Sequence, residues 1–212
     1  MDLSHVRLVR VALTMMLAAS LGACATSRIE NSWVEPTATA KSFALKKVLV
    51  VALARDGAIR RSTEDALARS IGAGPSGKSG QLVAEPSYRL LNDSELIDVA
   101  AAREKVEAAG YDGVVLIRFV SSHQEVTVDP PSYRGGFWGA GYGYGGRVMM
   151  YDPGTVQTDT ILKLQINIYS LAEQKLLWSG VSRTLNPSNI EKLVDGVAQA
   201  VREDLHERGL VP

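Results

Sequence analysis

The 212-residue sequence contains one cysteine, Cys24, and shows no excess of charge of either sign. With a single cysteine, no disulfide can form within the chain, so a hydrophobic core must supply the stability. The 23 basic and 23 acidic side chains balance. Nucleic-acid binding depends on clustered cationic side chains, and this composition gives no case for it. We therefore expect no nucleic-acid partner.

Long hydrophobic runs are also lacking, apart from one short stretch near the N-terminus. Residues 11–23 carry no charge and follow the basic residues Arg7 and Arg10. A helix needs about 20 apolar residues to span a bilayer, so this stretch is too short for a permanent anchor. A basic segment followed by a short apolar one is typical of a secretion signal, which we assign to residues 1–23.

The signal ends in Leu21-Gly22-Ala23-Cys24, which resembles a bacterial lipobox. In that motif the signal is cut before the cysteine, and the sulfur acquires a diacylglycerol. The resemblance implies that Cys24 is lipidated with acyl chains such as palmitate, and that these anchor the protein to a membrane. Ala25 follows where inner-membrane retention typically calls for Asp, which implies the outer membrane, facing the periplasm. An accidental thiol after an ordinary signal is the alternative.

Candidate metal ligands are few in the mature chain. Only His123 and His206 follow the signal, they are far apart in sequence, and lipid would block Cys24. We therefore expect neither a metal site nor a cofactor.

The rest of the sequence predicts a tether over residues 24–44 and one α/β domain over residues 45–212. The tether is rich in Ser, Thr, Ala and Asn and has no sustained periodicity. The order of elements in the domain is β-α-β-α-β, a long loop over residues 129–155, then an antiparallel β-hairpin and a C-terminal helix. This order predicts a mixed sheet covered by helices.

Hydrophobic periodicity gives approximate bounds for these elements. Strands are predicted near residues 46–53, 82–91, 114–120, 162–168 and 176–185, and helices over residues 58–71 and 92–109 and after residue 188. The spacings Asn92/Glu95 and Ser188/Glu191 predict capping boxes at the second and third helices. Gly110 and Gly209 are predicted to end those helices.

Residues 72–79, with the sequence GAGPSGKS, match the P-loop pattern GxxxxGK[ST]. A P-loop joins a strand to a helix, so that loop amides and the helix N-terminus converge on phosphates. Here the loop follows a predicted helix and precedes a predicted strand. We therefore interpret it as a flexible connector, and we expect no nucleotide binding.

Ser121, His123 and Glu125 alternate along a strand and have the residue types of a hydrolytic triad. On one strand, side chains at i and i+2 lie about 6.6 Å apart, whereas a nucleophile and its base need about 3 Å. We interpret them as a solvated strand face and assign no catalytic residue. An envelope hydrolase acting on peptidoglycan or a small ligand is the alternative function.

Residues 133–147 combine glycines and aromatics in a way that ordinary folding does not require. Loops longer than about 12–15 residues are usually functional or disordered, and Trp and Tyr are enriched at binding hot spots. The segment predicts an adaptable contact surface for a protein, a glycan or a membrane headgroup. A mobile hairpin tip is the alternative. The predicted contact residues are Tyr133, Phe137, Trp138, Tyr142 and Tyr144.

Several short motifs carry a family resemblance that covers residues 33–210. They are Ser32-Trp33, Lys47-Val48-Leu49-Val50-Val51, Tyr111-Asp112-Gly113-Val114, the Gly/Tyr-rich insert and Leu176-Leu177-Trp178-Ser179-Gly180. In these the sequence resembles a family of uncharacterised proteobacterial lipoproteins that share one domain of unknown function. The element order is also similar to the amino-terminal domain of the Tol translocation protein and to the penicillin-binding-protein activator lipoproteins. The likeness implies a non-enzymatic outer-membrane lipoprotein that binds or helps assemble envelope components.

Overall fold

A computed structural model describes residues 27–73, 82–92, 94–96, 98–129, 132–135, 149–152 and 155–211. These residues form β1 (Ser27–Val34), β2 (Lys47–Leu53), β3 (Val83–Pro86), β4 (Gly113–Asp129), β5 (Ser132–Gly135), β6 (Met149–Asp152), β7 (Thr155–Ser170) and β8 (Lys175–Leu185). The helices are α1 (Gly57–Gly72), α2 (Val99–Ala108) and α3 (Ile190–Glu207), and a 3₁₀ turn (Ser87–Arg89) follows β3.

Six of the strands form one mixed sheet in the order β1-β8-β7-β4-β2-β3. β2 is parallel to β3 and to β4, and the other neighbours are antiparallel. β3 lies at the edge, where the proline that ends it removes no ladder hydrogen bond from a central strand. The predicted α/β fold is confirmed, with its mixed sheet, antiparallel hairpin and C-terminal helix.

Helices cover the two faces of this sheet unequally. α1 and α3 pack on one face, against alternate residues of β2 and β4 and against Trp178 of β8. α2 covers the other face only near β2, where Leu49, Val51 and Val106 form a smaller core. β2 is therefore buried on both faces, as its unbroken apolar run predicts.

The uncovered part of the second face is polar and lies over β7 and β8. Ser179 Oγ donates to Asn167 Oδ1 at 2.7 Å, and Arg118 Nε donates to Gln165 Oε1 at 2.7 Å. The alternation of apolar and polar residues predicted for β7 thus places its polar side chains on this open face.

β1 lies within the segment predicted as a tether, residues 24–44. It pairs with β8 from Ser27–Thr184 to Val34–Trp178, with a bulge at Glu30. The prediction missed it because an edge strand with one open face carries few apolar residues. Residues 27–34 are part of the domain, so the tether prediction is wrong for them.

Two helix starts also differ from the sequence prediction. Asn92 and Glu95 do form a reciprocal capping box, but it closes a single turn. α2 begins later, where Asp98 accepts hydrogen bonds from the next turn at 3.1 Å. α3 is capped by Asn189 rather than Ser188. Neighbouring polar side chains offer similar acceptor oxygens, so the sequence alone does not select among them.

The predicted helix ends are where the sequence places them. Gly110 and Gly209 adopt φ values of +78° and +68°, the left-handed conformation of a helix C-cap.

β4 and β7 are much longer than the strands predicted near residues 114–120 and 162–168. They pair from Gly113–Ser170 to Asp129–Thr155, whereas β2 pairs with β4 only as far as Arg118. β8 pairs with β7 only from Ile161 onward. Residues 119–129 and 155–160 therefore project past the end of β2, and their outer part, residues 124–129 and 155–160, is a two-stranded ribbon. We call residues 119–129 and 155–160 the arm.

The segment predicted as one loop, residues 129–155, contains a further strand pair. β5 and β6 pair antiparallel, from Ser132–Asp152 to Gly135–Met149.

Candidate interaction surface

An apolar groove opens at the end of the sheet from which the arm extends. It lies outside the carboxyl end of β2, between α1, α3 and β4, and has a cavity volume of about 140 Å³. Apart from Thr63 and Arg118, its lining side chains are apolar. Among them are Leu53, Ile59, Phe119, Ile190 and Leu193. Open α/β sheets commonly bind ligands outside the carboxyl ends of their strands, so the groove is the first candidate for a contact site.

The groove continues onto an exposed apolar face of the arm. Phe119 pairs with Leu164 of the core, so its side chain points to the α1/α3 side of the sheet. Farther out, Val126, Val128 and Val156 share that side and are 58%, 62% and 69% exposed. We call the side of the arm that carries these three residues the valine face.

The triad-like residues Ser121, His123 and Glu125 lie on the opposite face of the arm, as their alternation predicts. They pair across β7 with Lys163, Ile161 and Asp159. Glu125 accepts a hydrogen bond from Arg183 Nη2 at 3.3 Å. Ile161 is itself buried, but His123 and Glu125 are exposed, and Glu125 forms an ion pair with Arg183, as on a solvated strand face.

The P-loop-like segment begins at the last residue of α1, and the next strand described is β3. Its surroundings are thus helix before and strand after, the reverse of a P-loop. Residues 74–79 lie outside the described part of the chain.

Other predicted site residues also lie outside the described part. These are Cys24, Phe137, Trp138, Tyr142 and Tyr144. Tyr133 lies in β5, opposite Tyr151 of β6. Their proposed roles therefore stay predictions.

Within the described ranges, no three His, Cys, Asp or Glu side chains are grouped so that they could hold a metal. None of the helices in the same ranges has the length and hydrophobicity that a membrane span requires.

The motif residues Ser32 and Trp178 converge on one carboxylate, that of Asp204 in α3. Trp178 Nε1 donates to Asp204 Oδ2 at 2.8 Å, and Ser32 Oγ donates to Oδ1 at 2.9 Å. Arg208 Nε adds a third hydrogen bond at 2.9 Å. The cluster ties β1 and β8 to α3, so these motif residues have a structural role.

Asp204 makes the stability of the fold sensitive to acid. Partial burial raises its pKa, but hydrogen bonds from Arg208, Trp178 and Ser32 outweigh burial and hold the pKa below its ordinary value. The folded state then binds fewer protons than the unfolded state, so stability falls as the pH drops below about 5.

We expect Asp204→Asn to make the free energy of unfolding less sensitive to acid. The free energy of unfolding, measured by urea denaturation between about pH 5 and pH 3, should fall less steeply in the variant than in the wild type. Equal slopes would show that the cluster does not keep the Asp204 carboxylate charged.

The motif Tyr111-Asp112-Gly113 is explained by contacts with the start of β2. The Asp112 carboxylate accepts from the backbone amides of Lys46 and Lys47 at 2.7 and 3.0 Å. The Tyr111 hydroxyl donates to Glu85 at 2.6 Å, and burial together with this bond raises the pKa of the phenol. A Cβ at Gly113 would lie 2.7 Å from Leu45 Cδ1. The motif therefore joins β4 to β2 and β3.

A buried ion pair that the sequence reasoning missed joins α1 to the sheet. Glu64 is fully buried and Arg60 is 6% exposed, and Arg60 Nε donates to Glu64 Oε1 at 3.1 Å. Ser87 Oγ and the backbone amides of Ala52 and Tyr88 donate to the same carboxylate. The spacing i, i+4 is visible in the sequence, but only the fold shows that both groups are inaccessible to substrate.

No family model matches the chain, and no curated protein matches it. Membership of the lipoprotein family therefore stays a prediction. Among solved structures, the PelC dodecamer from Paraburkholderia phytofirmans is similar at a TM-score of 0.43 and 10% identity, covering 83% of this chain and 95% of that chain. Lipoprotein GNA1162 from Neisseria meningitidis is similar at 0.38 and 16%, covering 76% and 98%. These scores are too low to carry an argument about function.

Proposed function

We propose that this chain is a lipid-anchored, non-catalytic binding or assembly module of the cell envelope, held at the outer membrane and facing the periplasm. The lipobox and its single cysteine support the anchor. The observation that carries the binding role is the exposed apolar groove outside β2, lined by residues of three strands and two helices.

The charged clusters described above favour binding over catalysis. The carboxylates of Glu64, Asp112 and Asp204 are each engaged by two or more hydrogen bonds within the fold. Thr63 and Arg118 are the polar residues along the groove, but the Arg118 side chain lies on the opposite face of the sheet, where its Nε donates to Gln165. General acid-base chemistry needs a titratable group within hydrogen-bond reach of the substrate. A groove without one suits apolar contact.

The size of the groove indicates what it would hold. A cavity of about 150 Å³ accommodates a benzene ring, so a volume near 140 Å³ fits one apolar side chain of a partner. Such a side chain would act as the buried anchor of a larger contact. The partner we propose is an envelope protein or glycan, with Tyr133, Phe137, Trp138, Tyr142 and Tyr144 as further contact residues.

Cys24→Ser tests the anchor. The wild-type protein should fractionate with membranes, and its mass should equal residues 24–212 plus the acyl chains. The variant should be soluble or keep its signal, because serine cannot form the thioether. A mature wild-type mass without acyl chains would contradict the proposal.

The groove is tested by a photo-crosslinking residue placed in intact cells at Ile59. It should give discrete adducts that weaken at least several-fold when Phe119→Ser removes a groove wall. The matched control is the same residue at Val99, which is 76% exposed and lies in α2, on the other face of the sheet from the groove. Equal adducts at the two positions, or none at Ile59, would refute a binding role for the groove.

A further inference from the structure

The register of the sheet shows at which end of the sheet β1 begins. Ser27 pairs with Thr184, Thr184 with Leu162, and Leu162 with Ser122 at the root of the arm. β1 runs antiparallel to β4, because each of the three intervening pairings is antiparallel. Ser27, the first residue of β1, therefore lies at the end of the sheet from which the arm extends.

Simple distances place the arm close to the anchor point. Cys24 lies three residues before Ser27, and consecutive Cα atoms are 3.8 Å apart, so the two Cα atoms are at most about 11 Å apart. The arm continues for seven residues beyond Ser122, or about 23 Å at the usual rise of a strand. If Cys24 is at a membrane surface, Ser27 lies within about 11 Å of Cys24. An arm of about 23 Å that extends toward that surface is longer than this distance and reaches the surface.

The two faces of the arm differ in how well they suit lipid. The valine face also presents the uncharged side chains of Ser122, Gln124, Thr158 and Thr160, so it carries no charge along its length. The opposite face carries Glu125 and Asp159. The Asp159 carboxylate is hydrogen-bonded by the neutral amides of Asn186 and Gln157, and moving such a charge into an apolar medium is strongly unfavourable. The valine face is therefore the one that can contact lipid.

The backbone of the arm limits how deeply it can enter. No described strand pairs with the outer edge of β4 beyond Arg118. Backbone amides and carbonyls without partners are costly within the hydrocarbon region, and only helices and closed barrels avoid them there. The arm therefore suits the boundary between headgroups and acyl chains, where water still reaches its edges.

We propose that the arm rests on the phospholipid surface to which Cys24 is anchored, with Val126, Val128 and Val156 turned toward the lipid. This inference rests on the proposed function, because it takes the lipid on Cys24 as the anchor. It sets the orientation of the domain: the groove lies next to the membrane, and the turn between β7 and β8 points away from it. The contact is apolar, so it does not require anionic lipid.

The orientation can be measured because acylation blocks Cys24, so that an introduced cysteine can be labelled alone. In acylated full-length protein, a cysteine introduced by Thr158→Cys, on the valine face, is the one free thiol and can carry an environment-sensitive fluorophore. Glu173→Cys, in the β7–β8 turn at the opposite end of the sheet, is the matched control. Both proteins are placed in phosphatidylcholine vesicles that contain a nitroxide-bearing lipid. The label at position 158 should be quenched several-fold more strongly than the label at 173.

Salt and side-chain changes separate lipid contact from other causes. The quenching at 158 should persist in about 0.5 M NaCl, which screens exposed charges. It should fall to the level at 173 in the double variant Val126→Asn/Val128→Asn. Val83, which is 51% exposed, lies at the opposite end of the sheet, and Val83→Asn should leave the quenching unchanged.

Each outcome decides between named possibilities. Acyl chains in the mass spectrum with equal quenching at 158 and 173 would overturn the orientation while the anchor stands. The fluorophore at position 158 could instead enter an apolar environment only as the protein concentration rises, without quenching by the nitroxide lipid. That result would indicate contact with a second copy of the chain and would overturn the inference. A mass without acyl chains would overturn the proposed function, and the inference with it.

Discussion

Replacing Glu64 with alanine should lower the free energy of unfolding by about 3–5 kcal/mol, the usual effect of removing one partner of a buried ion pair. Glu64 Oε1 accepts from Ala52 N at 3.0 Å and from Ser87 Oγ at 2.7 Å, and Oε2 accepts from Tyr88 N at 3.1 Å. The variant loses these bonds together with the carboxylate that faces the buried Arg60 guanidinium. Urea denaturation of the mature protein at neutral pH measures the difference.

An exposed ion pair on another helix supplies the matched control. Arg103 Nε and Glu107 Oε1 are 2.7 Å apart with the same i, i+4 spacing, but the Glu107 side chain is 42% exposed. Glu107→Ala should therefore change the stability by less than about 1 kcal/mol. If the two alanine variants were equally stable, the Arg60–Glu64 cluster would not join α1 to the sheet in the way described.

Gly180→Ala should be the second severe substitution, with an expected loss of about 3 kcal/mol from overpacking and a broken hydrogen bond. A Cβ at this position would meet Trp178 Cη2 and lie 2.5 Å from Trp178 Cζ2. The indole cannot move aside freely, because Trp178 is fully buried and its Nε1 donates to Asp204. Nothing lies within 4 Å of a Cβ at Gly57, so Gly57→Ala is the matched control.

Thermal and urea unfolding of the two glycine variants test this packing. We expect the Gly57→Ala midpoint to stay within a few degrees of the wild type and the Gly180→Ala midpoint to fall by about 6–12 °C, given about 2–4 °C per kcal/mol for a domain of this size. If Gly180→Ala were as stable as Gly57→Ala, the close packing of Trp178 on Gly180 would be wrong.

The elements that sequence reasoning recovered are those fixed by local patterns. The apolar run of β2 can be satisfied only in a strand buried on both faces, and α1 lies close to its predicted bounds of 58–71, with Asp56 as its N-cap. Gly110 and Gly209 ended their helices as expected because few other residues adopt positive φ at little cost. In such places one short segment contains all the information.

β1 and the arm depend on pairing between distant segments, which no local pattern reports. β1 is stabilised by β8, about 150 residues later in the chain, and by Ser32 donating to Asp204. The arm was predicted only in part, because its Ser, His, Gln and Thr residues have no core to pack against and give no apolar pattern. Its strand character comes from the continued ladder between β4 and β7.

The candidate site was only partly accessible from the sequence, for the same reason. Leu53, Ile59 and Phe119 come from three separate segments, and only the register of β2 with β4 brings them to one groove. The motifs that carry the family resemblance are easier to recognise in the sequence than the groove. In the structure Trp178, Gly180, Asp112 and Ser32 hold strands and helices together, which accounts for their presence without a ligand.

The central claim is that the arm end of the domain faces the membrane. Hydrogen exchange, read by mass spectrometry on the acylated protein in detergent-free vesicles and on the soluble form that begins at residue 25, tests it most directly. We expect slower exchange in vesicles for residues 119–129 and 155–160, and unchanged exchange at the turn over residues 171–174. Slower exchange at that turn instead, or none in the arm, would contradict the orientation.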